Sequence, residues 1–157
     1  MSEDDGRHDF DFLFGAWRVH NRKLKRRLAG SSEWEEFETS AEARPILGGL
    51  GNVDAFRRAD VGWEGTSVRL FDPELRRWSI WWASTSRPGH LEPAVTGAFD
   101  KGRGRGEFLG DDSYDGAPIL VRYVWSGITR TTARWEQAFS PDGGDTWETN
   151  WVMSLSR

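Results

Sequence analysis

The chain contains no cysteine, which excludes disulfide frameworks, thiolate metal sites and cysteine nucleophiles together. It also lacks any apolar run approaching the roughly 18 to 20 residues that cross a bilayer as a helix, because charged residues interrupt every hydrophobic stretch. A basic excess is missing too: the formal net charge is −4, which argues against a general nucleic-acid binder. The three histidines, His8, His20 and His90, lie too far apart for H-x-H or H-E-x-x-H metal spacing. His20 is the best placed of them to ligate a haem inside a barrel, yet it shares a strand face with Arg18 and Arg22 and reads more simply as a surface residue. No P-loop or Ser/His/Asp order occurs, and Gly102-Arg103-Gly104-Arg105-Gly106 lacks the following helix of a dinucleotide fingerprint and reads as a hairpin loop. The opening Met1-Ser2-Glu3-Asp4-Asp5 has neither the basic nor the apolar part of a secretory signal. With the missing cysteines, this predicts a cytoplasmic protein that needs no cofactor, metal, nucleic acid or membrane.

What the chain has in abundance is large rings, ten tryptophans and nine phenylalanines among 157 residues, a length that suits one domain with a sizeable core. Phe10, Leu13, Phe14 and Trp17 follow an i, i+3, i+4, i+7 stripe, with Asp9 as a candidate cap and Gly15 as a terminator, predicting a short N-terminal helix. Beyond Trp17 no second helical stripe occurs. Segments of β-favouring residues alternate instead with turn signals such as Asp72-Pro73-Glu74, Arg87-Pro88-Gly89, Asp115-Gly116 and Pro141-Asp142-Gly143-Gly144. About ten strands are expected, near 17–27, 33–43, 46–57, 65–72, 76–85, 94–100, 104–110, 118–127, 131–140 and 146–156. Short connections favour an all-β, antiparallel up-and-down β-barrel over a β-sandwich, since closure removes exposed sheet edges.

Alternation assigns faces, because successive strand side chains point to opposite sides. Trp78, Ile80 and Trp82 oppose Arg77 and Ser79; Val121, Tyr123 and Trp125 oppose Arg122; Trp135, Gln137 and Phe139 oppose Arg134 and Glu136. In the last strand Trp147, Trp151, Met153 and Leu155 share one face, leaving Glu148, Asn150, Ser154 and Ser156 on the other. Strands 46–57 and 104–110 resist this treatment, the first because its glycines specify register weakly. Asn52 and Asp54 are therefore pocket groups in one register and solvated in the other.

The segment Phe10-Asp11-Phe12-Leu13-Phe14-Gly15-Ala16-Trp17 resembles the opening of a lipocalin, a short helix followed by G-x-W on the first strand. Ala43-Arg44-Pro45-Ile46-Leu47-Gly48-Gly49, Arg69-Leu70-Phe71-Asp72-Pro73 with Trp78, and the stretch from Arg134-Trp135-Glu136-Gln137 to Asp142-Gly143-Gly144-Asp145-Thr146-Trp147-Glu148 resemble uncharacterised bacterial lipocalin-like domains within the calycin superfamily. The resemblance implies a lipocalin-like barrel over nearly the whole chain, and it brings no settled activity. It also implies that Trp17 packs across one barrel end against a basic residue from a late strand, Arg157 or else Arg134.

Trp82, Tyr123, Trp125, Trp135 and Trp151 are candidates for the wall of a cavity, with Gln137, Asn52 and Asp54 supplying polar contacts. The expected partner is a small hydrophobic or aromatic molecule, and a homodimer is compatible with the sequence. Two other readings stand beside it. One is a cofactor-independent isomerase, cyclase or hydratase aided by Asp54 or Tyr123. The other is a ring-filled barrel that meets a protein partner through Trp34 or Trp81. The basic run Arg18, Arg22, Lys23, Lys25, Arg26, Arg27 reads as the wet face of a strand and Glu148 as solvent-facing.

Overall fold

In the computed structural model, which describes residues 4–157, ten antiparallel strands close into a barrel; Met1, Ser2 and Glu3 of the acidic opening lie outside the described residues. The strands are β1 (Gly15–Leu24), β2 (Trp34–Ile46), β3 (Gly51–Arg58), β4 (Trp63–Asp72) and β5 (Arg77–Ser84), followed by β6 (Val95–Asp100), β7 (Arg105–Tyr114), β8 (Ala117–Ser126), β9 (Thr132–Ser140) and β10 (Glu148–Ser156). Each pairs with its neighbours in sequence, and β1 pairs with β10 to complete the ring. All ten expected strands are present as an up-and-down meander. Their order follows from turn chemistry: Asp115 and Gly116, both at positive φ, link β7 to β8 through a two-residue hairpin turn.

The expected N-terminal helix is a single 3₁₀ turn, Asp11–Leu13, capped by Phe10 rather than by the Asp9 side chain. Gly15 does not terminate a helix; it opens β1 at φ +104, and a Cβ there would lie 3.3 Å from an Arg157 guanidinium nitrogen. Only glycine tolerates that backbone together with that approach. Trp17 then turns inward, donating from Nε1 to the Leu13 carbonyl at 2.9 Å, while the Arg157 guanidinium carbon lies 3.9 Å from the centroid of its ring. Arg157 also donates to the carbonyls of Phe12, Phe14 and Arg130. The tryptophan–arginine pair implied by the lipocalin resemblance is therefore present with Arg157, whereas Arg134 bonds Glu136.

Beneath this end lies an aromatic cluster built on Phe10, whose ring meets Trp78 and Phe99 edge-on at 5.0 and 4.9 Å and Phe108 at 5.6 Å. Such geometry matches ring quadrupoles as well as burying area. Gly97 and Gly110 let the narrow part of the sheet coil tightly: a Cβ at Gly97 would fall 1.9 Å from the Glu107 carbonyl oxygen, and one at Gly110 2.4 Å from that of Ala94. β7 alternates regularly in the structure, with Gly106, Phe108 and Gly110 on the inner face; glycine at two of those positions hides the pattern in the sequence.

One strand departs from simple alternation. The pairing of β10 with β9 slips between Thr149 and Trp151, a β-bulge that inserts Asn150. Trp151 still faces inward opposite Gln137, but Glu148 lies opposite the inward Phe139 and reaches the barrel mouth, where its Oε1 accepts from the Leu28 N–H. Trp147 consequently stands on the outside, under the Arg122 guanidinium at 4.3 Å. Both faces expected for Trp147 and Glu148 are thus reversed by one extra residue.

Candidate functional site

The barrel interior is a funnel, closed at the Phe10 end and open between the β1–β2, β3–β4 and β5–β6 connections. Its floor comes from strand register. Asn52 pairs with Arg69 and Asp54 with Ser67 across β3 and β4, so that all four side chains share the inner face. Asn52, Asp54 and Arg69 are 1%, 5% and 2% exposed, which resolves the register of 46–57 in favour of inward Asn52 and Asp54. Arg69 donates from Nη1 to Asn52 Oδ1 at 2.9 Å and from Nη2 to Asp54 Oδ2 at 2.6 Å; Asp54 Oδ1 accepts the Ser67 backbone N–H at 2.7 Å. Its guanidinium carbon lies 5.1 Å from the Phe10 ring and 5.8 Å from that of Trp125. The floor is a buried, mutually neutralised ion pair sandwiched by aromatic groups, a costly arrangement unless its hydrogen bonds are good.

With both carboxylate oxygens engaged, Asp54 is not a free general base facing the space above it. Three donors at this level have no acceptor among the described residues: Arg69 Nε, Asn52 Nδ2 and Trp125 Nε1.

Above the floor stand the tryptophan walls. Trp135 and Trp151 meet edge-on at 5.5 Å, Trp82 and Trp151 at 6.0 Å, and Tyr123 leans on Trp135 at 5.0 Å. Polar contacts set these rings. Trp151 Nε1 donates to Asn21 Oδ1 at 3.0 Å, and Asn21 donates onward to Thr39, which fixes the indole plane from the adjacent strands β1 and β2. Gln137 gives its Nε2 to Asn150 at 2.8 Å, so the bulge of β10 also orients the amide. Burial pushes the Tyr123 phenol above its ordinary range, with the nearby Glu92 and Asp112 charges adding to the effect.

The rings border two neighbouring spaces. A lower space of about 30 Å³ is bounded by Arg69, Trp125, Trp135, Phe56 and Met153 among others. An upper one of about 150 Å³ reaches the mouth, and the two share Trp82, Tyr123, Gln137 and Trp151. Since a water needs about 10 to 15 Å³ on this measure, the lower space admits the tip of a ligand rather than a whole one. A cavity of about 150 Å³ is enough for a molecule near the size of benzene.

The mouth is charged. Lys23 and Arg27 belong to the basic run, yet both face this opening, so the reading of that run as wholly wet fails at these two residues. The Lys23 ammonium sits 4.2 Å from the Trp151 ring centroid, and burial, with repulsion from Arg27, pulls its pKa down to about 8. Arg27 lies over Phe139 at 5.4 Å. Across the opening, burial raises the Glu92 carboxyl, reinforced by its hydrogen bond with Asp112. Trp63 completes the rim, its ring 6.0 Å from Trp82 and its Nε1 donating to Ser86 Oγ at 3.0 Å.

Of the residues singled out from sequence, Trp82, Tyr123, Trp125, Trp135, Gln137 and Trp151 all border the lower space, while Asn52 and Asp54 hold Arg69 from beneath. Arg69, Lys23 and Arg27 were missed. The signal for Arg69 was its position two residues from both Ser67 and Phe71, facing a strand that carries an inward carboxylate. His20 lies outside the barrel, bonded to Glu38 and Glu36, and therefore does not face the cavity as a haem ligand. Trp34 is half-buried beneath the Arg22 guanidinium at 4.7 Å. Among the described residues no group of three or more His, Cys, Asp or Glu is arranged to hold a metal ion, and no helix is long and apolar enough to cross a membrane. No family model matches the chain, and no curated protein matches it. The ten-stranded antiparallel barrel is consistent with a lipocalin-like fold.

Proposed function

We propose that the protein is a binding module of the calycin type, which takes one small hydrophobic or aromatic molecule into the funnel and holds it against Trp82, Tyr123 and Trp151, with its tip reaching down to Trp125 and Trp135. The observation that carries this reading is the pair of neighbouring spaces that share Trp82, Tyr123, Gln137 and Trp151 as wall residues, three of them aromatic. Pockets of this kind are apolar with a few placed polar groups. The reading calls for sequestration rather than turnover, because Asp54, the best-placed carboxylate, is already engaged by Arg69 and Ser67. It needs no nucleic acid, membrane or second copy of the chain, and the absence of cysteine suits a reducing cytoplasm.

The test is native mass spectrometry of the purified protein together with tryptophan fluorescence during titration with small apolar and aromatic compounds. A co-purifying mass, or saturable quenching that weakens at least tenfold in Trp135→Ala and in Trp151→Ala, supports the reading. Uniformly empty protein with no saturable response overturns it.

A further inference from the structure

Resting on that binding reading, the geometry points to a narrower ligand class: a neutral, planar aromatic molecule whose carbonyl oxygen enters first and accepts hydrogen bonds from Arg69 Nε and Trp125 Nε1. Both residues border the lower space, and both N–H donors lack an acceptor among the described residues despite near-complete burial. A buried donor without a partner bears the cost of its lost hydration, so an arriving acceptor regains what the fold leaves unsatisfied. Asn52 Nδ2 lies in the same set, on the amide whose oxygen holds Arg69.

Charge decides the class. Arg69 is already neutralised by Asp54 at 2.6 Å, so a carboxylate driven to the floor would bring a net negative charge into an aromatic surround. A carbonyl accepts the same hydrogen bonds without that penalty. Shape follows from the walls of the upper space, where the rings of Trp63, Trp82 and Trp151 lie 6.0 to 6.2 Å from one another and favour a flat ring system over a branched chain. The small lower volume suits a single protruding oxygen, with the ring body in the larger space above.

The experiment compares three bicyclic probes by isothermal titration calorimetry: coumarin, which carries a carbonyl; naphthalene, which has none; and 2-naphthoate, which is anionic. Indole N–H resonances in ¹⁵N-labelled protein are followed in parallel, that of Trp125 being identified by its loss in Trp125→Phe. Expected is coumarin binding about tenfold more tightly than either other probe, a shift of the Trp125 indole signal, and collapse of the advantage over naphthalene to within about threefold in Trp125→Phe. That variant keeps an aromatic ring while removing the N–H, and naphthalene binding to the same variant controls for the space that the smaller phenyl opens in the buried site, so it remains informative where Arg69→Met fails to fold. Equal binding of coumarin and naphthalene with an unmoved Trp125 signal overturns the carbonyl inference and leaves the aromatic binding site standing. Preference for 2-naphthoate overturns the neutral class. Failure of all three probes, with fluorescence also silent, overturns the site and the inference together.

Discussion

The two ends of the barrel are built on opposite terms. At the closed end nearly every polar group meets a fixed partner within the chain: Trp17 with Leu13, Trp78 with the Gly6 carbonyl, Arg157 with three carbonyls and an indole face. At the open end Lys23 and Arg27 lie over rings, and burial, with Asp112 close by, holds the Glu92 carboxyl above its ordinary range. The contrast teaches where stability and adaptability reside. One end is a scaffold, and the other keeps charged groups in environments whose energies change with protonation and with whatever enters.

The largest effect expected from breaking this contrast lies at the floor. Asp54→Ala strands the Arg69 charge in an aromatic surround, and urea unfolding should show a loss of about 3 to 5 kcal/mol. At the closed end Phe10→Ala removes the ring on which Trp78, Phe99 and Phe108 pack, with a loss of about 3 to 5 kcal/mol in the same measurement. Arg157→Ala deletes hydrogen bonds and a cation–π contact at the barrel end and should cost about 1 to 3 kcal/mol, read as a lowered thermal midpoint. At the rim, Trp63→Ala should lower stability by only about 1 kcal/mol, because the ring is half-buried, while shifting the fluorescence of Trp82 and Trp151 beside it. Loss of several kcal/mol from the rim variant, or none from Phe10→Ala, would erase the distinction between the two ends.

The subtlest prediction concerns pH. Lys23 titrates near 8 in the fold against 10.5 for the free side chain, so between those values the unfolded chain binds a proton that the folded chain has released. Stability contributed by this residue therefore rises as pH climbs from about 8 toward 10.5, and Lys23→Met flattens that slope. Urea midpoints at pH 7.5 and 10 for both proteins provide the check; a slope unchanged by the substitution would remove Lys23 from the account.

Much of this was legible in the sequence. Ten strands could be placed because turn residues punctuate the chain at hairpin spacing, and the resemblance of the G-x-W opening to a lipocalin pointed to the barrel end where Trp17 meets Arg157. Six ring and amide positions around the lower space followed from alternation alone. What alternation could not show is set by partners distant in sequence. Nothing local marks the insertion at Asn150, so Trp147 and Glu148 were assigned to the wrong faces. Lys23 and Arg27 read as solvated because a long cationic side chain over an indole or phenyl face is invisible until the opposing strand is in place. Arg69 was hidden for the same reason: an inward arginine makes sense only once Asp54 is known to face it.

The seam between β1 and β10 also governs how the molecule can assemble. Arg18 pairs with Ser156 and Lys23 with Trp151, so the contacts that complete the ring join its first strand to its last. Every other strand pair can form between neighbours in sequence, but this one must wait for the whole meander. Long-range pairing of that kind slows folding, and until it forms the curled sheet carries two open edges able to capture strands from other chains. Crowded synthesis is thus the moment of greatest exposure to aggregation, and the rate at which β10 docks sets how long that exposure lasts.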